Sequence, residues 1–127
     1  MIQTKNFNPL ADKKLLCTCG HELCDQRSVN QFTLDKVQLV REDLGKPMTI
    51  TSGGRCQYHP NEVRKSSPGD HQLQYAVDVY YTDMLFAVKL MVLAGRHGAT
   101  RVALGKNFVH MAWTPTADLS VPTWSYR

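Results

Sequence analysis

Apolar residues recur at helical spacing in two stretches of the chain and at strand spacing in four. Between 30 and 44, Leu34, Val37, Val40 and Leu44 follow one another at intervals of three and four, which puts them on one face of a helix. Gly45 and Pro47 come next; the first suits a left-handed cap and the second cannot extend a helix, so the helix ends there. MTITS at 48–52 alternates and is rich in β-branched side chains, and QYAVDVY at 74–80 has the same character; both read as strands. Residues 83–96 place Met84, Leu85, Val88, Met91, Val92 and Gly95 on one helical stripe. Thr82 is the expected N-cap of that helix, and Gly98 lies just past its end. Short strands are expected at 101–104 and 108–113. The order of elements predicts an α+β fold, a small and mainly antiparallel sheet with flanking helices.

Between the first two strands, residues 53–70 hold three Gly, two Pro and two Ser. That is a long loop, and a loop of such length inside a compact domain is usually functional. No linker or repeat divides the 127 residues, a length that buries a core without disulfides, so residues 1–127 are expected to form one domain. Within it, residues 1–28 make a cysteine-bearing N-terminal segment.

Composition adds limits rather than chemistry. Apolar content of 43% and charged content of 20% exclude wholesale disorder. The net charge of +4 is spread along the chain. It suits an anionic partner such as a cell-wall polymer and argues against nucleic acid, because no basic stripe interleaved with aromatics is present. The first sixteen residues lack the continuous apolar core of a signal peptide. The most apolar run, MLFAVKLMVLAG, is interrupted by Lys89 and is too short to span a bilayer. The expectation is synthesis in a cytoplasm without a signal of its own and no membrane insertion.

Five histidines are present, His21, His59, His71, His97 and His110. Two have telling positions. His71 closes the long loop, with Asp78 seven residues later in a strand, and His110 lies in the strand FVHMAW. Side chains alternate along a strand, so Ala76, Asp78 and Tyr80 share one face, and Phe108, His110 and Ala112 share another. If the two strands are neighbours, Asp78 and His110 sit side by side and His71 reaches over from the loop. Two imidazoles and a carboxylate with a fourth position open form a catalytic zinc arrangement. Asp78 would otherwise be a carboxylate in an apolar strand without a partner, or a residue facing solvent on a half-exposed strand.

These residues resemble a known family. SGGRC at 52–56, the His71 to Asp78 spacing and FVH at 108–110 are similar to the S-G-Y-R-C, His-x₆-Asp and F-V-H-x-D stretches of the zinc D-Ala-D-Ala carboxypeptidases and related peptidoglycan endopeptidases. LLCTCG near the start and TWSY near the end look like the family's terminal segments. More narrowly, the chain looks like the small single-domain members of that family often encoded by bacteriophages. The resemblance implies a Hedgehog/D,D-peptidase type fold, Zn²⁺ held by His71, Asp78 and His110, and Arg55 holding the substrate or its carboxylate.

The chain also departs from the family pattern. The acidic residue the family places three before the third ligand or two after it is here Asn107 or Ala112. The family's tyrosine is Gly54, its serine two before the first ligand is Gly69, and its glycine three after that ligand is Gln74. Asp70, beside His71, and Asp118, after the last strand, are the carboxylates left to serve as base; both are surface residues by default. CTCGHELC at 17–24 holds Cys17, Cys19 and Cys24 with His21. It looks like part of a structural zinc site that only the distant Cys56 could join, but the usual C-x₂-C pairs are absent. The resemblance favours a structural role there, with Cys17 or Cys19 closing a disulfide to Cys56 in an oxidising space; a second metal is the less favoured alternative.

The expected function is zinc-dependent hydrolysis of peptidoglycan stem or cross-link peptides, as by a phage lysin acting on the cell wall or periplasm, or carried in a virion. A metal-binding pseudo-enzyme or phage structural protein without the acid is the alternative. A basic binding protein with no metal is a third.

Overall fold

A computed structural model describes residues 1–115 and the backbone of 125–126. Helix α1 spans Gln31–Leu44. Its N-terminus is capped by the Asn30 side chain, which accepts from the Thr33 N–H at 2.8 Å, and its end is closed by Gly45 at φ 68°, a left-handed conformation that favours glycine. Strands β1 (Ile50–Ser52), β2 (Ala76–Tyr80), β3 (Arg101–Gly105) and β4 (Phe108–Ala112) bracket helix α2 (Met84–Arg96). The sheet order is β1-β2-β4-β3-β5. The first four strands run antiparallel to their neighbours, and β5 (Ser125–Tyr126) lies parallel to β3. This is the α+β arrangement that the apolar pattern predicts.

The sheet has two chemically different faces. Val77 and Val79 of β2 and Val109 and Met111 of β4 are fully buried in one core with Leu34, Val37 and Val40 of α1. Each such side chain withdrawn from water contributes about 1.5–3 kcal/mol. The alternate residues, Asp78 and His110, therefore point away from the helices, toward the 53–75 loop. The expected parity of the two strands is observed, and in the ladder Asp78 and His110 are direct partners. The N-terminal segment packs beneath that loop: Leu16 bridges to Ser28, and the Gly54 N–H donates to the Leu15 carbonyl at 3.0 Å. Here Gly54 is required, since a Cβ would fall 2.1 Å from the Arg27 carbonyl oxygen. The tyrosine of the family pattern has no room at this position. Gln74, in place of the family's glycine, sits at φ 71°; its amide offsets part of the strain by donating to the Ser28 carbonyl at 2.9 Å.

Helix α2 corrects two expectations. Its N-cap is Asp83, whose carboxylate accepts from the Phe86 N–H at 2.9 Å, and not Thr82. The buried face is Ala87, Leu90, Leu93 and Ala94, whereas Met84, Leu85, Val88 and Val92 of the expected stripe are exposed. The reason is that this helix is apolar around most of its circumference, so periodicity offers two faces and only the packing partner selects one. No helix among the described residues is long and apolar enough to cross a membrane.

The choice of face is measurable. Leu90 is 0% exposed and Leu85 65%, so Leu90→Ala should cost about 2–5 kcal/mol and Leu85→Ala less than about 0.5 kcal/mol. Denaturant titration of the two variants checks this; equal losses would restore the face that periodicity suggested.

Candidate metal centre

Three elements deliver one donor atom each to a single point. His71 enters from the turn that closes the long loop, Asp78 from the middle of β2 and His110 from the middle of β4. All three are almost fully buried. His71 Nε2 lies 3.1 Å from Asp78 Oδ1, His110 Nδ1 lies 3.0 Å from the same oxygen, and the two nitrogens are 3.2 Å apart. The outcome is a nearly equilateral triangle. Zinc bonds of about 2.0–2.1 Å at tetrahedral angles require donors about 3.3 Å apart, so the triangle fits that ion.

The far side of each imidazole fixes its tautomer. His71 Nδ1 donates to the Gly53 carbonyl at 2.7 Å, leaving Nε2 with a lone pair toward the triangle. His110 Nε2 donates to Asp70 Oδ2 at 3.1 Å, leaving Nδ1 similarly aimed. A carbonyl or carboxylate behind each ligating histidine is the arrangement that orients a metal ligand and raises its basicity. With both far nitrogens protonated, the triangle consists of three acceptors in mutual contact. Only a shared cation or an additional proton relieves that repulsion.

The electrostatics point the same way. Burial lowers the His71 pKa and keeps that ring neutral, as a ligand must be. Burial opposes charge on His110 too, but its hydrogen bonds to Asp70 and Asp78 prevail and raise its pKa; a proton there occupies the place of a cation. Burial alone would raise the Asp78 pKa, but the shared proton or cation between it and the two adjacent imidazoles holds it well below the usual carboxylate range.

Asp70 is corrected from surface residue to buried partner. Besides His110 it binds Arg101 Nη1 at 3.0 and 3.1 Å and the Thr114 hydroxyl at 2.7 Å. Although burial alone would raise its pKa, the His110 and Thr114 hydrogen bonds and nearby charges bring it down to about 2. A carboxylate so fully engaged orients His110 and makes a poor base. Sequence adjacency to His71 drew attention to Asp70 without revealing this, because its partners come from β4, β3 and the segment after β4.

Arg55 stands beside the triangle. Its guanidinium reaches Asp78 Oδ2 at 3.5 Å and Glu62 Oε2 at 3.3 Å, while its Nε donates to Ser52 Oγ at 3.2 Å. Glu62, buried and also paired with Lys65 at 3.0 Å, was not legible as part of this site, since nothing in PNEVRK distinguishes it from a solvated glutamate. A cleft of about 350 Å³ opens over the donors between Arg55, Arg64, Lys65 and Phe108, and an adjoining one of about 490 Å³ reaches Arg101. The two expected acid positions are empty of acid: Asn107 is exposed at the β3–β4 turn, and Ala112 is fully buried. Asp118 lies outside the described residues.

The His/Asp/His triangle is thus a possible metal site on an α+β scaffold, beside a cationic cleft. No curated protein matches the chain. A family model described as peptidase M15 matches residues 8–112, a span that includes the N-terminal segment, SGGRC and all three donors. The chain belongs to the peptidase M15 family.

Proposed function

We propose that this protein is a zinc-dependent peptidase that hydrolyses stem or cross-link peptides of peptidoglycan, with a phage lysin as its biological setting. The observation that carries the reading is the triangle of three buried acceptors, two of them imidazoles fixed from behind by Gly53 and Asp70. His71, Asp78 and His110 would hold the ion, leaving its remaining position toward the cleft. When bound, zinc lowers the pKa of a water to about 7 and polarises a carbonyl.

The chain's own residues supply the rest. Asp70 and the Gly53 carbonyl keep the two imidazoles in the ligating tautomer. Arg55, clamped by Glu62, keeps a planar donor fork at the edge of the donors, suited to a carboxylate of the substrate. Arg64 lines the cleft over the donors, and Lys65 and Arg101, paired with Glu62 and Asp70, keep further donor groups at the two clefts. These groups support an anionic peptide as substrate, and peptidoglycan stems carry free carboxylates. The base is assigned to Asp118, because Asp70 is saturated by His110, Arg101 and Thr114.

A second reading is a metal-binding relative without hydrolytic activity. It is favoured by Ala112, buried without a polar atom on the His110 face, and by the engagement of Asp70.

Purified peptidoglycan incubated with the protein should yield new stem-peptide termini by mass spectrometry, and His110→Ala should yield none. Arg55→Lys, which cannot keep the planar fork, should lower kcat/KM about 10- to 150-fold, the loss of one charge-assisted contact. Asp118→Asn should lower kcat by about 10²–10⁴ with the metal content unchanged; full activity would place the base elsewhere. Absence of new termini with the wild-type protein fully loaded with metal would establish the second reading. Asp70→Asn should weaken zinc affinity about 10- to 100-fold without removing a ligand, read by competition with a chromophoric chelator; unchanged affinity would remove Asp70 from its positioning role.

A further inference from the structure

A second donor cluster lies in the N-terminal segment, outside the His/Asp/His site. The sulfurs of Cys17, Cys19, Cys24 and Cys56 all lie within 4.8 Å of one another, and the nearest pair, Cys19 and Cys56, is 3.5 Å apart. All four are thiols. Zinc–sulfur bonds of about 2.3 Å at tetrahedral angles place sulfurs about 3.8 Å apart, so the cluster has the dimensions of a four-thiolate shell before any ion is added. We propose that Cys17, Cys19, Cys24 and Cys56 form a structural zinc site that ties the N-terminal segment to the loop carrying Arg55.

Burial pushes the Cys17 thiol up to about 12 and that of Cys56 upward, and backbone amides converging on the sulfurs oppose it, lowering Cys19. The Gln26 N–H donates to Cys24 Sγ at 3.3 Å. His21 N–H serves Cys19, Tyr58 N–H serves Cys56, and Cys19 and Cys56 N–H groups serve Cys17. Each sulfur thus receives the amide two residues further along the chain. Such turns direct several N–H dipoles at one point and stabilise thiolate charge. The conformation they need is present in Gly20, directly after Cys19, at φ 79°, and in Gln26 at φ 53°. The Arg27 guanidinium lies near Cys17 and Cys56, with its charge paired to Asp25 at 2.6 Å.

The site adds a tie to a segment otherwise held by the Cys17 N–H on the Arg27 carbonyl (2.9 Å), Arg27 on the Gln72 carbonyl (3.1 Å) and the stacked His21 and Tyr58 rings. Residues 17–27 contain no helix or strand, and Leu23 is 61% exposed. Only Cys17 and Cys56 of this cluster are fully buried. A closed four-sulfur shell has no open position, so the role is structural. A Cys19–Cys56 disulfide would consume the closest pair and leave Cys17 and Cys24 with the same convergent amides and no ligand to justify them. The C-x-C…C spacing left a second metal the less favoured alternative in the sequence, because the fourth ligand is 32 positions beyond Cys24 and only folding of the SGGRC loop onto the N-terminal segment unites the four.

The test uses the full chain, purified under reducing conditions and reconstituted with cobalt(II). The wild-type protein should hold two ions per chain and show sulfur-to-cobalt charge transfer with tetrahedral d–d bands. His110→Ala should hold one ion and keep the charge-transfer band at full intensity. Cys24→Ser should lose that band and one ion. If Cys24→Ser does not fold, the wild-type and His110→Ala spectra still decide. A His110→Ala protein without thiolate charge transfer would overturn the site, as would metal-free protein whose mass before reduction reveals a Cys19–Cys56 disulfide. Either result leaves the His/Asp/His centre untouched.

Discussion

The fold depends on a single cross-strand pairing. Asp78 on β2 and His110 on β4 face each other on the side of the sheet that the helices do not cover. An unpaired carboxylate in that position would carry a desolvation penalty of several kcal/mol. The penalty is offset by Arg55, 3.5 Å from Asp78, and by the cation or proton that Asp78 shares with His110 and with His71 of the loop. The long segment between β1 and β2 is therefore placed by the chemistry of the sheet it covers. Gly53 supplies the carbonyl for His71, Gly54 makes the close approach to the N-terminal segment, and Arg55 meets Asp78. Three consecutive residues of one motif thus serve the donor, the packing beneath it and the cleft beside it.

Much of this was legible in the sequence. Strand parity put Asp78 and His110 on the face opposite the valines of their own strands, and the pairing of β2 with β4 makes that one shared face. Family spacing then brought in His71 and Arg55. The end of helix α1 followed from Gly45, whose role is local; the Asn30 cap at its start was not read from the sequence. The N-cap at Asp83 and the buried face of α2 were not legible. The first is a choice between adjacent capping residues, and the second belongs to a helix whose apolar surface exceeds what its partners cover.

The long-range partners were the least visible part. Asp70 gains its meaning from His110, Arg101 and Thr114, all more than thirty positions away along the chain. Glu62 has near neighbours in sequence as partners, Arg55 and Lys65, and was missed because its burial is set by the fold. Substitutions at the family's conserved-looking positions become intelligible in the same way. Gln74 holds a left-handed backbone that favours glycine and recovers part of the cost through its amide, and Gly54 stands where no side chain fits. The absence of an acid at Ala112 has no such compensation around the ladder, where Arg101 and Ala76 are its partners.

The claim on which the account rests is that three acceptors brought within 3.0–3.2 Å of one another are held together by a cation. Calorimetric titration of zinc into chelator-stripped protein, compared with the same titration of His110→Ala, tests it most directly. The account predicts one binding event more in the wild-type protein than in the variant. Identical isotherms would contradict it and leave the triangle held by protons alone.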